Sequence, residues 1–122
     1  MRTSFGLFLV VGLLVGCSSD DDRNPAVDKC ELFANTWCTH SLNCLVQVNR
    51  LNQSDMQAQL DACNRVAIAA VPCEKAVEVG ATFDQCLSGV DAMSCQTWDV
   101  EVSQVSTITP PSSCFGVIKV TN

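Results

Sequence analysis

Apolar residues in this chain first run without interruption, then recur at three- and four-residue steps, and finally thin out among serines and threonines. The uninterrupted run spans Phe5 to Val15 and follows Met1-Arg2-Thr3. A membrane-crossing helix needs about 20 apolar residues, so this run is too short to span a bilayer. One positive charge, a short apolar stretch and small residues at its end form the layout of a secretory signal. No other segment is long or apolar enough to cross a membrane.

The stepped pattern begins at Asn24-Pro25, an N-cap side chain followed by a proline at the first helical position. Cys30, Phe33, Trp37, Ser41, Cys44 and Val48 then share one face, which predicts a helix over 25–49. After a turn at 49–53, Ser54 and Gln57 make a capping box for a second helix. Met56, Leu60, Cys63, Ala67 and Ala70 lie on one face of it, and Pro72 stops it. Cys73–Val79 predicts a short third helix closed by Gly80. Thr82 and Gln85 form another capping box, opening a helix with Phe83, Cys86, Leu87 and Val90 inward, although Gly89 counts against it. Ser94–Trp98 predicts one further helical turn. The closing stretch, DVEVSQVSTITPPSSCFGVIKVTN, is rich in Val, Ile and Thr and predicts extended or irregular chain with at most one weak hairpin. The expected fold class is all-α: a small disulfide-braced bundle of about three to five short helices with an irregular or weakly β C-terminal tail. Its core is expected around Phe33, Trp37, Leu60, Phe83 and Leu87.

Cysteine usage changes the picture most. There are nine, and Cys17 stands apart at the end of the apolar run. The other eight, Cys30, Cys38, Cys44, Cys63, Cys73, Cys86, Cys95 and Cys114, are an even set that reads as four disulfides in an exported chain. Their closest spacings, Cys38 to Cys44 and Cys30 to Cys38, are too wide for the paired ligands of a zinc site, and His40 is the one histidine. If the first two helices run antiparallel about a turn near residues 51 and 52, opposed positions have indices summing to about 103. Cys30 then faces Cys73, and Cys63 lies between the levels of Cys38 and Cys44. The expected pairing is Cys30–Cys73 and Cys44–Cys63, with Cys38 reaching the helix after Thr82 and one bridge pinning Cys114.

Leu14-Val15-Gly16-Cys17 resembles the lipobox of bacterial lipoproteins, an aliphatic residue and two small ones before an obligatory cysteine. The resemblance implies a diacylglyceryl group on Cys17, cleavage just before it, and acylation of the freed amine. Two or more acyl chains anchor stably where one does not. Ser18 after the cysteine, by resemblance to enterobacterial lipoproteins, implies the outer membrane, with the face left open. The lipobox together with CELFANTWC, QLDAC, FDQCLSGVDAMSC and the late PPSSC also resembles small cysteine-rich lipoproteins of unknown function from δ-proteobacteria. That likeness implies a helical, disulfide-braced domain and no catalytic role. The organisation is thus a signal peptide over 1–16, a lipidated N-terminus and acidic tether over 17–27, and a disulfide-rich helical domain over 28–122.

Charge and candidate chemistry add little more. Arg2 is the one basic residue before Cys17, and from Cys17 onward thirteen acids face six Lys and Arg, about −7. Such a charge argues against nucleic acid or anionic head groups as partners. Asp20, Asp22, Asn24 and Glu31 occupy ligand places of a calcium loop, but Pro25 stands where that loop needs glycine. His40 with neighbouring Ser41 lacks an orienting third group, and is expected at the surface or at a cap. Asp61, Glu74, Glu78 and Asp84 are the acids that a carboxylate pair would draw on, and solvated charge is their expected role. Plant lipid-transfer proteins also place eight cysteines on helices around an apolar tunnel, but their adjacent Cys-Cys pair and Cys-x-Cys are missing here. The function expected is a membrane-anchored, non-catalytic interaction or structural module of the cell envelope, using no cofactor or metal, with a possible envelope protein as partner. The alternative is a small-ligand binder with an apolar pocket near Trp37 or Trp98.

Overall fold

The computed structural model describes residues 23–122. The expected signal peptide, Cys17 and the aspartates of the expected tether lie outside the described residues.

Helix α1, Pro25–Gln47, carries the architecture. Asn24 caps it by accepting from the Ala26 backbone N–H at 3.0 Å, and its amide donates to the Ala76 carbonyl at 3.2 Å. The cap therefore also ties the helix to a strand formed fifty residues later. At the other end Asn49 takes the left-handed conformation (φ 59°), and the Arg50 and Leu51 N–H groups return to the Leu45 carbonyl. Asparagine tolerates that conformation better than most residues, so the turn sits where its chemistry allows. Along α1, Ala26, Cys30, Ala34, Cys38, Ser41 and Leu45 are buried at helical spacing.

Helix α2, Met56–Ala70, packs antiparallel to α1. The capping box expected at Ser54 does not form: Gln53–Asp55 make a 3-10 turn, and no side chain caps α2. None of its residues is fully buried, an unusual state for a helix of this length inside a bundle. Helix α3, Phe83–Asp91, follows Thr82, whose hydroxyl donates to the Ser113 carbonyl at 2.9 Å instead of capping the helix. Gly89, the residue that weighed against this helix, lies against Pro111; a Cβ there would stand 3.1 Å from the proline ring. Close approach to the C-terminal segment offsets the poor helix propensity of glycine.

The helix expected over Cys73–Val79 is not formed. Cys73–Lys75 make a 3-10 turn, and Ala76–Val79 become strand β1, paired antiparallel with β2, Ile118–Val120. The register is Ala76 with Val120, Glu78 with Lys119 and Val79 with Ile118, with an irregularity between Ala76 and Glu78. Lys119 and Glu78 also form an ion pair at 3.0 Å. The alternation in Ala-Val-Glu-Val suits a strand, but its partner lies about forty residues away and local spacing does not announce it. Short 3-10 turns at Cys95–Trp98, Val102–Thr107 and Ser112–Cys114 complete the chain.

All eight cysteines pair: Cys30–Cys73, Cys38–Cys63, Cys44–Cys95 and Cys86–Cys114. The first is the pairing expected, and Cys114 is pinned as expected, by α3. Cys44–Cys63 is corrected, as is the expected reach of Cys38 to α3. Cys63 meets Cys38, whose index sum of 101 stays close to the antiparallel register of Cys30–Cys73, and Cys44 turns instead toward the 95–98 turn. The core centres on Trp98, which is wholly buried with Leu42, Leu45, Cys44 and Val105 around it. Of the expected core residues only Phe83 is buried; Phe33, Trp37, Leu60 and Leu87 are half-buried. All four bridges and all three apolar clusters close within residues 23–122.

Candidate functional site

The half-exposed state of α2 has a structural counterpart. Between α1, α2 and the segment 102–110 lies an open apolar cleft of about 510 Å3. Its floor is built from cystine sulfur and small side chains. Cys30 and Ala34 come from α1, Cys63, Ala62, Ala67 and Ala70 from α2, and Cys73 from the turn beyond. Alanines on facing helical surfaces leave volume that leucines would fill, and the two bridges joining α1 to the α2 side, Cys30–Cys73 and Cys38–Cys63, fix the helices at that spacing. Phe33, Trp37 and Val66 stand as walls.

Trp37 is held from behind. Its ring meets Trp98 edge-on, with centroids 4.9 Å apart and planes at 69°, and Phe33 follows at 6.4 Å. Such edge contacts are favourable geometries for aromatic pairs. Trp98 anchors the row in the core while Trp37 lines the cleft, so the two tryptophans have different roles.

The third wall is the segment 102–110, whose Val102, Val105, Ile108 and Pro110 line the cleft. Its backbone hydrogen bonds are local, Gln104 N–H to Glu101 and Ile108 N–H to Val105; among the described residues none joins it to α1 or α2. Only apolar side-chain packing holds it in place along its middle. Before it, Arg50 binds Asp99 at 2.7 Å and Glu101 at 2.9 Å. The hydrogen bond and charge of Asp99, with Glu101 adding, hold the Arg50 guanidinium above its ordinary pKa. This clamp is solvent-exposed and is screened by salt.

The lining carries no ionisable side chain; its polar members are Gln59, Ser103 and Ser106. A second, shallower hollow beside the α1 N-terminus is lined by Arg23, Glu31, Glu74 and Lys75. Arg23 there is already paired with Asp28 and Glu31.

The residues weighed for catalysis are occupied elsewhere. His40, expected at the surface or a cap, is half-buried: Nε2 lies 2.9 Å from the Met93 carbonyl, so it carries the proton and donates, and the ring stands edge-on to Trp98. Ser41 is fully buried and donates to the Cys38 carbonyl of its own helix at 3.0 Å. Histidine and serine, adjacent in sequence, are thus bonded to two different carbonyls. Asp61, Glu74, Glu78 and Asp84 are exposed; Asp61 accepts from Gln57, and Glu78 pairs with Lys119. Asn24 and Glu31, two of the calcium-loop positions, serve the α1 cap and the Arg23 pair. Among the described residues no group of three His, Cys, Asp or Glu is placed to hold a metal ion.

Sequence reasoning named Trp37 and put Ala67 and Ala70 on the inward face of α2, but as core, and it missed the 102–110 wall. The available signal was the alanine content of α2, five in fifteen residues, which makes a helix too thin to fill a groove. Compared with protein-family models, curated proteins and solved structures, the chain matches none.

Proposed function

We propose that this chain is a lipid-anchored envelope protein whose disulfide-braced domain binds an apolar ligand between α1 and α2, without catalysis. The cleft carries this reading: about 510 Å3 of uncharged space, inside the usual range of ligand sites, on a floor cross-linked by disulfides. A preorganised site avoids the cost of ordering on binding. The lipobox at Cys17 and the short acidic segment after it support the anchor and tether, with the outer membrane as the destination. A pure spacer or a flat protein-docking module has no use for an alanine-floored groove, which is why ligand binding is favoured over the structural role.

Two measurements test it. Mass spectrometry of the mature protein is expected to find an acylated Cys17 at its N-terminus; an unmodified N-terminus at another residue defeats the anchor. For the cleft, the mature chain bearing Cys17→Ser is titrated with N-phenyl-1-naphthylamine, a neutral apolar fluorophore. Enhanced emission is expected, weakened about tenfold by Trp37→Ala, the order expected from losing one large buried contact. No enhancement with the intact cleft defeats the ligand reading.

A further inference from the structure

We infer that the cleft is shaped for one extended acyl chain of an uncharged lipid. This rests on the ligand reading above and sharpens it to a chemical class.

Shape comes first. The α1 residues along the cleft run from Cys30 to Leu42, a rise of about 18 Å at 1.5 Å per residue. The cleft of about 510 Å3 is drawn out over that length. A trough drawn out in this way suits a single extended hydrocarbon chain better than a bulky tetracyclic skeleton. The floor agrees, because small alanine side chains and cystines line the cleft along α1 and α2. A myristoyl or palmitoyl group has the matching length.

Charge comes second. An acyl chain ending in a carboxylate needs a cation at one end, and the lining has none. The surrounding domain is strongly acidic, which disfavours an anion further. A neutral head group meets neither objection. Two of the three polar lining residues also sit where such a head belongs: Gln59 lies near the start of α2, Ser103 follows Val102, and Val102 packs in the cluster of Leu42. The opposite end, at Cys30, Cys73, Ala70 and Val71, is apolar throughout and receives the methyl terminus. An amide and a hydroxyl at one end with only apolar groups at the other give the site a direction.

The test is displacement of N-phenyl-1-naphthylamine from the mature Cys17→Ser chain by a homologous series of monoacylglycerols, by fatty acids of the same lengths at pH 8, and by a sterol. Monoacylglycerols are expected to tighten about three- to fourfold per added methylene, the increment for a buried CH2, and then to level off at the chain that fills the cleft. Matched fatty acid anions are expected to bind at least tenfold more weakly, and the sterol not to displace. Ala67→Leu, a helix-compatible change that narrows the floor, is expected to move the plateau to shorter chains. Displacement that ignores chain length, or that the sterol or the anions achieve equally well, overturns the acyl-chain assignment while leaving the ligand site standing. Failure of the fluorophore to bind at all counts against the ligand reading itself. Should Ala67→Leu lose its fold by circular dichroism, the chain-length series in the unsubstituted protein still decides.

Discussion

His40 bridges two parts of the molecule that no backbone hydrogen bond joins, donating from α1 to the Met93 carbonyl just before the Cys95–Trp98 turn. Its ring packs edge-on to Trp98, and the Cys44 sulfur lies 3.7 Å from Nε2. His40→Ala leaves that carbonyl without its donor and is expected to cost about 1–3 kcal/mol in urea unfolding with the disulfides intact. Fluorophore binding should be unchanged, since His40 does not line the cleft. A loss of binding without a loss of stability would contradict the assignment of His40 as a strut. The same helix shows how burial depends on what lies opposite a side chain. Phe33 and Trp37 fall on the apolar stripe that periodicity marks as core, yet alanines face them and a cleft results. Trp98, in a stretch with no periodic signal, is the residue the fold buries completely.

At the level of elements, α1 supplies one partner to three of the four bridges, and the fourth fastens α3 to the C-terminal segment. The bridges differ in the length of chain they close, 25 residues for Cys38–Cys63 and 51 for Cys44–Cys95. On the loop-entropy relation, removing the first by paired alanine substitution costs about 3.5 kcal/mol and removing the second about 4 kcal/mol. Thermal unfolding should therefore rank Cys44→Ala/Cys95→Ala as the less stable of the two double variants. Ligand affinity is expected to rank them the other way, because Cys63 forms part of the cleft floor and Cys95 does not. Both orders coinciding would show that the floor gains nothing from its own bridge. The helices were legible from spacing, and α1 also from its Asn24 cap, because those signals are local. Strand β1 was not, because four residues with a partner at Ile118–Val120 carry no pattern that excludes a helical turn.

For the whole molecule, a domain of this size buries a limited core, and the four bridges offset that. Three of the basic side chains after Cys17, Arg23, Arg50 and Lys119, are held in exposed ion pairs that contribute little stability. Among the described residues the remaining acids Asp55, Asp61, Glu74, Asp84 and Asp91 are exposed, a charge distribution that repels anions. Since a ligand that binds only the folded state stabilises it by mass action, a bound monoacylglycerol at about ten times its Kd should add about 1.4 kcal/mol. Scanning calorimetry should then register a rise of several degrees in Tm, growing with ligand concentration and reduced in Ala67→Leu. A Tm indifferent to ligand would mean that binding, if seen, is not to the native cleft.

The sequence by itself determined three things about this protein: α1, α2 and α3, the even set of eight cysteines with Cys17 left over, and the all-α, disulfide-braced class. Each rests on relations between residues a few positions apart or on a simple count. Tertiary structure decided which cysteines meet, which strand β1 joins, and whether an aromatic residue serves as core or as wall. Those outcomes depend on groups brought together from distant parts of the chain. Cys44 illustrates this: its helical phase is plain from the sequence, but its partner, Cys95, lies beyond α3 and is reached only when the chain folds back across α1. The cleft has the same origin. Small residues on α1 and α2 are unremarkable singly, and they define a site only when two bridges set them face to face and the 102–110 segment closes the third side.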